Sequence, residues 1–176
     1  MAVGDNGMYV IESKTLTSNT ASVDFQSIPS SYAHLWIVLH FRGTRSAGDG
    51  EILMTFNNDT STNYDYGRGN GYNSQMYSNI VTGSTYISLG NAPATSALPS
   101  GAYGVCEIFI PRYTYTGGYR QIIATTGDPQ SGASLAAYRT GTWKNLSSAI
   151  TSIQFAAELG SVASGSVLSL YGMVES

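Results

Sequence analysis

Two histidines, a tryptophan and an arginine sit within nine residues of one another, and they are the first candidates for chemistry in this chain. His34, Trp36, His40 and Arg42 fall on alternate positions of A-H-L-W-I-V-L-H-F-R-G (33–43). In an extended strand, alternate side chains share a face. Leu35, Ile37, Leu39 and Phe41 then form the other, apolar face. The two histidines are the only ones in the chain. Their spacing of six residues corresponds to about 20 Å along a strand, too far to share a metal ion or one reacting atom. The expectation is a contact surface, with Trp36 between flanking nitrogen-bearing groups. A contact with another protein subunit through His34, Trp36, His40 and Arg42 is the reading the residue types support.

No catalytic set emerges elsewhere. The chain has no G-x-S-x-G nucleophile elbow. Its 11 acidic residues are scattered. Glu107 alternates with Val105 and Phe109 inside a strand-like run, and is a candidate for partial burial. The expectation is a non-enzymatic protein.

The loop Asn57-Asn58-Asp59-Thr60-Ser61-Thr62-Asn63-Tyr64-Asp65 offers oxygen ligands of the kind calcium takes. It lacks the central Gly and closing Glu of an EF-hand, and Asx-rich loops usually bond their own backbone. No metal and no cofactor are expected.

The 13 tyrosines are the remaining signal. Tyr64, Tyr66, Tyr72 and Tyr77 lie in or beside a Gly/Asn-rich stretch, and Tyr113, Tyr115 and Tyr119 surround Gly117-Gly118. Aromatic rings among amides suit a glycan surface, and they suit a subunit interface equally. Tyr64, Tyr66, Tyr72, Tyr113 and Tyr115 are therefore candidates for glycan or partner contact.

The elements that must position these groups read as short strands. Runs of alternating apolar residues recur every ten to fifteen residues, separated by turn chemistry. They cover 8–16, 20–26, 33–43, 51–57, 76–81, 85–89, 102–110, 119–126, 134–143, 150–155 and 166–174, with one short strand at Tyr64–Gly67. Turns are expected at 27–31, 46–50, 116–118 and 128–132, a surface loop at 90–101, and one helical turn at 144–149. Ten to twelve short strands in 176 residues predict an all-β, two-sheet antiparallel β-sandwich, jelly-roll-like. Residues 8–176 are expected to form a single domain, with 1–7 as a flexible or docking tip.

Charged residues make up 11% of the chain, well below the roughly 25% of an ordinary globular protein. Neutral polar surface is cheap to desolvate, which suits a subunit of an assembly. The net charge is −3 and no basic stripe exists, which argues against nucleic-acid binding. No apolar run approaches the ~20 residues that span a bilayer, and no secretory signal is visible. Cys106, the one cysteine, reads as a buried structural thiol suited to folding in a reducing cytoplasm.

Several stretches resemble tailed-bacteriophage virion structural proteins. They are F-Q-S-I-P-S-S-Y-A-H-L-W-I-V-L (25–39), T-F-N-N-D-T-S-T-N-Y (55–64), A-I-T-S-I-Q-F (149–155) and S-V-L-S-L-Y-G-M (166–173). The resemblance runs over roughly 8–174. It implies a virion component with a jelly-roll-like sandwich: a capsid decoration (cement) protein on the head exterior, folded in the host cytoplasm. Its partners would be itself, as a homotrimer, and the major capsid protein or other virion subunits. The alternative is a receptor-binding or fibre-tip module that contacts host glycans.

Overall fold

The computed structural model describes residues 7–45, 50–72, 74–93, 98–99, 101–130 and 133–175; the side chains of 72, 130 and 133–135 lie outside that description. The expected docking tip, apart from Gly7, and the turn at 46–49 also lie outside it.

Twelve strands follow one another: β1 (Met8–Thr15), β2 (Ser22–Phe25), β3 (His34–Phe41), β4 (Gly50–Phe56), β5 (Tyr64–Tyr72), β6 (Gln75–Ser84), β7 (Ile87–Ala92), β8 (Gly104–Pro111), β9 (Arg120–Gln130), β10 (Ala133–Trp143), β11 (Ile153–Ala157) and β12 (Val167–Met173). They form two antiparallel sheets, β1-β12-β3-β8-β9-β10-β5-β6 and β2-β11-β4-β7.

Eight of these strands pair in a nested order. β1 pairs with β12, β2 with β11, β3 with β8 and β4 with β7. This is one long antiparallel hairpin rolled into two sheets, the jelly-roll arrangement. Two further hairpins, β5–β6 and β9–β10, are inserted in the chain between framework strands. Both add to the same edge of the first sheet, beyond β8.

The core lies between the sheets, where period-two alternation sends the apolar residues. Leu35, Ile37, Leu39 and Phe41 of β3 meet Phe25, Met54, Phe56 and Phe155 of the opposite sheet in one buried cluster. Burying side chains of this size stabilises the fold by about 1.5–3 kcal/mol each. Cys106 is buried among them, as its place in an apolar strand indicates.

Three sequence expectations are corrected. The strand at Tyr64–Gly67 extends to Tyr72, because its continuation Arg68-Gly69-Asn70-Gly71 keeps the alternation that Gly conceals. In the turn expected at 128–132, residues 128–130 belong to β9, which runs through Pro129 to Gln130, and residues 131–132 lie outside the described residues. Residues 144–149 form bends rather than a helical turn. There the Asn145 side chain accepts the Ser147 and Ser148 N–H groups at 2.9 and 3.1 Å, competing with helical bonding.

Candidate functional site

The outer face of the eight-stranded sheet carries three of the residues that the sequence singled out, His34, Trp36 and His40. Across β3 and its neighbours, register fixes who stands beside whom. Trp36 lies opposite Tyr171 of β12 on one side and Phe109 of β8 on the other. Tyr171 lies opposite Val10 of β1, and Phe109 opposite Ile123 of β9. The row continues through Thr140 of β10 and Gly67 of β5 to Ile80 of β6. One line of side chains thus crosses all eight strands, and five consecutive positions in it are aromatic or aliphatic. Val10 is 63% exposed, Ile123 49% and Ile80 77%. Tyr138 and Val105 add exposed apolar surface in flanking rows.

Trp36 is half-buried, its ring 6.1 Å from that of Phe109. The histidines stand at opposite ends of β3, each held by its own partner. His34 Nδ1 accepts the Arg112 N–H at 3.0 Å, and its ring meets Phe109 edge-on at 5.6 Å. His40 is exposed and stacks on Tyr103 at 4.4 Å. The two imidazoles do not converge.

Arg42 departs from the expected face. It lies one residue beyond the end of β3 and is 3% exposed. Its guanidinium donates to the carbonyls of Pro99, Ala102 and Leu98 at 2.5, 2.9 and 3.2 Å. Where the strand ends its alternation ends too, and the side chain turns to hold Leu98, Pro99 and Ala102. Glu107 also departs from expectation: it is exposed, on the outer face between Val38 and Thr125.

The tyrosines divide. Tyr64 is fully buried; its hydroxyl accepts the Phe56 N–H at 3.0 Å and donates to the Asp59 carbonyl at 3.1 Å. Burial raises its pKa above the usual phenol range. Tyr66 is buried and stacks on Tyr86 at 6.4 Å. Tyr113 is buried, its hydroxyl donating to the Pro29 carbonyl. These three rings pack the core and cannot touch a glycan. Tyr115 is exposed, as are Tyr77, Tyr119 and Tyr138. The Tyr72 side chain lies outside the described residues.

The Asx loop closes on itself. Asp59 accepts from the Ser61 N–H at 3.0 Å, the Asn63 amide at 3.0 Å and the Trp143 indole N–H at 2.8 Å. Partial burial pushes its carboxyl up, but these donors outweigh that and hold the pKa at about 2. Among the described residues, no group of three or more His, Cys, Asp or Glu side chains could hold a metal ion.

Two buried arginines escaped the sequence reading. Arg120 sits over Trp143, 4.9 Å from the ring, and donates to the Tyr115 and Gly118 carbonyls at 2.7 Å each. Arg139 lies in the interior of the hairpin extension and is 1% exposed. Nothing in the local pattern distinguishes either from a surface arginine.

Fold and site together define a jelly-roll β-sandwich with an extended sheet and an open, aromatic outer face. No family model matches the chain, and no curated protein matches it. Three solved structures show loose likenesses. The xylan beta-1,4-xylosidase from Bacillus halodurans C-125 aligns at 11% identity with a TM-score of 0.33, over 83% of this chain and 28% of that one. The alginate lyase vAL-1 from Chlorella virus aligns at 10% identity and TM-score 0.31, over 97% and 92%. The CBM2 module of the evolved Dit from Lactobacillus casei BL23 phage J-1 aligns at 8% identity and TM-score 0.17, over 88% and 70%. This chain therefore spans about 28% of the xylosidase's length. Likenesses this loose carry no inference about what the chain binds or does.

Proposed function

We propose that this protein is a non-enzymatic structural subunit of a phage virion, a capsid-decorating protein that assembles with copies of itself and docks through the outer face of its eight-stranded sheet. The continuous row Val10-Tyr171-Trp36-Phe109-Ile123 carries this reading. Eight strands at about 4.8 Å spacing, each about 25 Å long, give a face of roughly 34 by 25 Å. That is about the 800 Å² that each partner contributes to a stable protein interface. Aromatic anchors at its centre suit such a role. The phage assignment rests on the sequence resemblance. Its motifs fall on β3, the β4–β5 connection, β11 and β12, all but the connection framework strands.

The assembly is expected to be a trimer that bridges capsid subunits. Receptor binding through the tyrosine loops is the weaker reading, because Tyr64, Tyr66 and Tyr113 are buried.

Trp36→Ala tests the proposal. The variant should fold, with an unchanged far-ultraviolet spectrum. Loss of a central anchor, worth about 2 kcal/mol, should weaken association roughly 30-fold. Sedimentation of the purified chain and its occupancy on particles by electron microscopy are the readouts. Unchanged sedimentation together with unchanged occupancy would refute the role of this face.

A further inference from the structure

The two sheets differ in width, and the consequence appears at the β6 edge. β5 and β6 form the end of the wider sheet, and β6 is exposed along most of its length. The inner face of this overhang is polar. Arg68 and Asn70 of β5 lie on the same side as Tyr66, with Asn79 and Tyr77 of β6 opposite them in register. Arg139 of β10 lies opposite Arg68 from the other side. Here a cleft of about 280 Å³ is lined by Arg68, Asn70, Tyr77, Ser78 and Asn79.

The hydrogen bonds already made in the cleft leave it one-sided. Asn70 Oδ1 accepts from Arg139 Nη1 at 2.7 Å. A guanidinium can only donate, so the amide orientation is fixed and Asn70 Nδ2 is left to donate. Asn79 Oδ1 accepts the Ile80 N–H at 2.8 Å, which leaves Asn79 Nδ2 in the same position. Arg68 commits Nη1 to Glu51 Oε1 at 3.0 Å and retains further N–H groups. Tyr77 donates its hydroxyl to Gln75 and keeps a half-exposed ring. The uncommitted side-chain nitrogens of Arg68, Asn70 and Asn79 in this cleft are all donors.

Charge points the same way. Arg139 is 1% exposed, and its Nε and Nη2 have no hydrogen-bond partner among the described residues. Glu51 contacts Arg68, and Glu158 accepts the Glu51 N–H at 3.2 Å rather than bonding either guanidinium. Two arginines thus share one contacting carboxylate.

A donor-rich cleft lined by one arginine and backed by another, the two sharing one carboxylate, suits an oxygen-rich anion. The Tyr77 ring beside it supplies an apolar surface for a ring-shaped ligand. We propose that this cleft binds a carboxylate-bearing sugar. The carboxylate would be taken by Arg68 and the Asn70 and Asn79 amides, and the sugar ring would lie against Tyr77. This site is separate from the outer face and stands whether or not that face docks.

Calorimetric titration of the full chain with glucuronate, glucose and inorganic phosphate tests it. Glucuronate should bind, more weakly as salt is raised, and glucose at least tenfold more weakly. Asn79→Asp keeps the acceptor for the Ile80 N–H but exchanges the donor for a carboxylate. It should weaken glucuronate binding at least tenfold with an unchanged unfolding midpoint. No glucuronate binding to the unmodified chain, or undiminished binding to the variant, overturns the proposal. Phosphate that competes and binds as tightly as glucuronate overturns the sugar assignment in favour of a free oxyanion.

Discussion

Replacing Arg42 with Met separates a fold-holding role from a contact role. Met preserves most of the buried stem and removes the guanidinium. The backbone at this position is held independently, since the Arg42 N–H reaches Ser166 Oγ at 3.2 Å and its carbonyl accepts from Ala163 at 2.8 Å. The perturbation therefore falls on the guanidinium's contacts, among them the carbonyl bonds to Leu98, Pro99 and Ala102. Bonds from a charged donor contribute about 1.5–3 kcal/mol each when the acceptor stays buried. Pro99 is exposed and Leu98 and Ala102 are half-buried, so water recovers part of that. A net loss of about 2–4 kcal/mol remains. For a chain of this length that lowers Tm by roughly 5–15 °C. Thermal unfolding followed by circular dichroism reads the effect, and sedimentation of the folded variant reads association. The expected result is a lower Tm with association intact. An unchanged Tm with lost association would show that Arg42 works at a contact surface, and would refute the reasoning.

The Asp59 carboxyl, held at about 2 against an ordinary 3.8, is a depressed acid in the folded state. Its contribution is present in full above the ordinary value and is lost as pH falls from about 4 toward 2. Asp59→Asn should cost about 1 kcal/mol at pH 7, discounted for solvent exposure, and nothing below pH 2. Urea unfolding at pH 7, 4 and 2 checks this, and a pH-independent difference counts against it. Burial pushes the Cys106 thiol up to about 12. Iodoacetamide at pH 8 should leave it unlabelled in the native protein and label it fully in denaturant, as read by mass spectrometry; rapid native labelling would contradict the burial.

The framework was legible because its strands are half-buried and alternate, and Leu35, Ile37, Leu39 and Phe41 could have only one inward face. The face opposite was legible only within β3. Nothing local tells Trp36 that Phe109 and Tyr171 stand beside it, because strand order is a long-range property. Tyr64 and Tyr66 were legible in principle. They alternate with Asp65 and Gly67, which marks them as one face, but the surrounding Asn and Gly suggest a loop. Arg42 was misassigned by extending alternation one residue past the strand. Tyr113, Arg120 and Arg139 carry no local signal at all. Their burial depends on carbonyls and rings far away in sequence, such as Pro29 for Tyr113 and Asn145 for Arg120.

The nested pairing sets the order in which the chain can fold. β1 has no sheet partner until β12 exists, about 150 residues later, and β2 waits for β11. Such distant pairings are slow to close. The β5–β6 and β9–β10 hairpins join neighbouring segments and can form early. On a ribosome, the first strands would emerge with their edges bare and stay so through most of synthesis. The hairpins would then serve as the first ordered units, and the jelly roll would zip shut last, from β4–β7 outward to β1–β12.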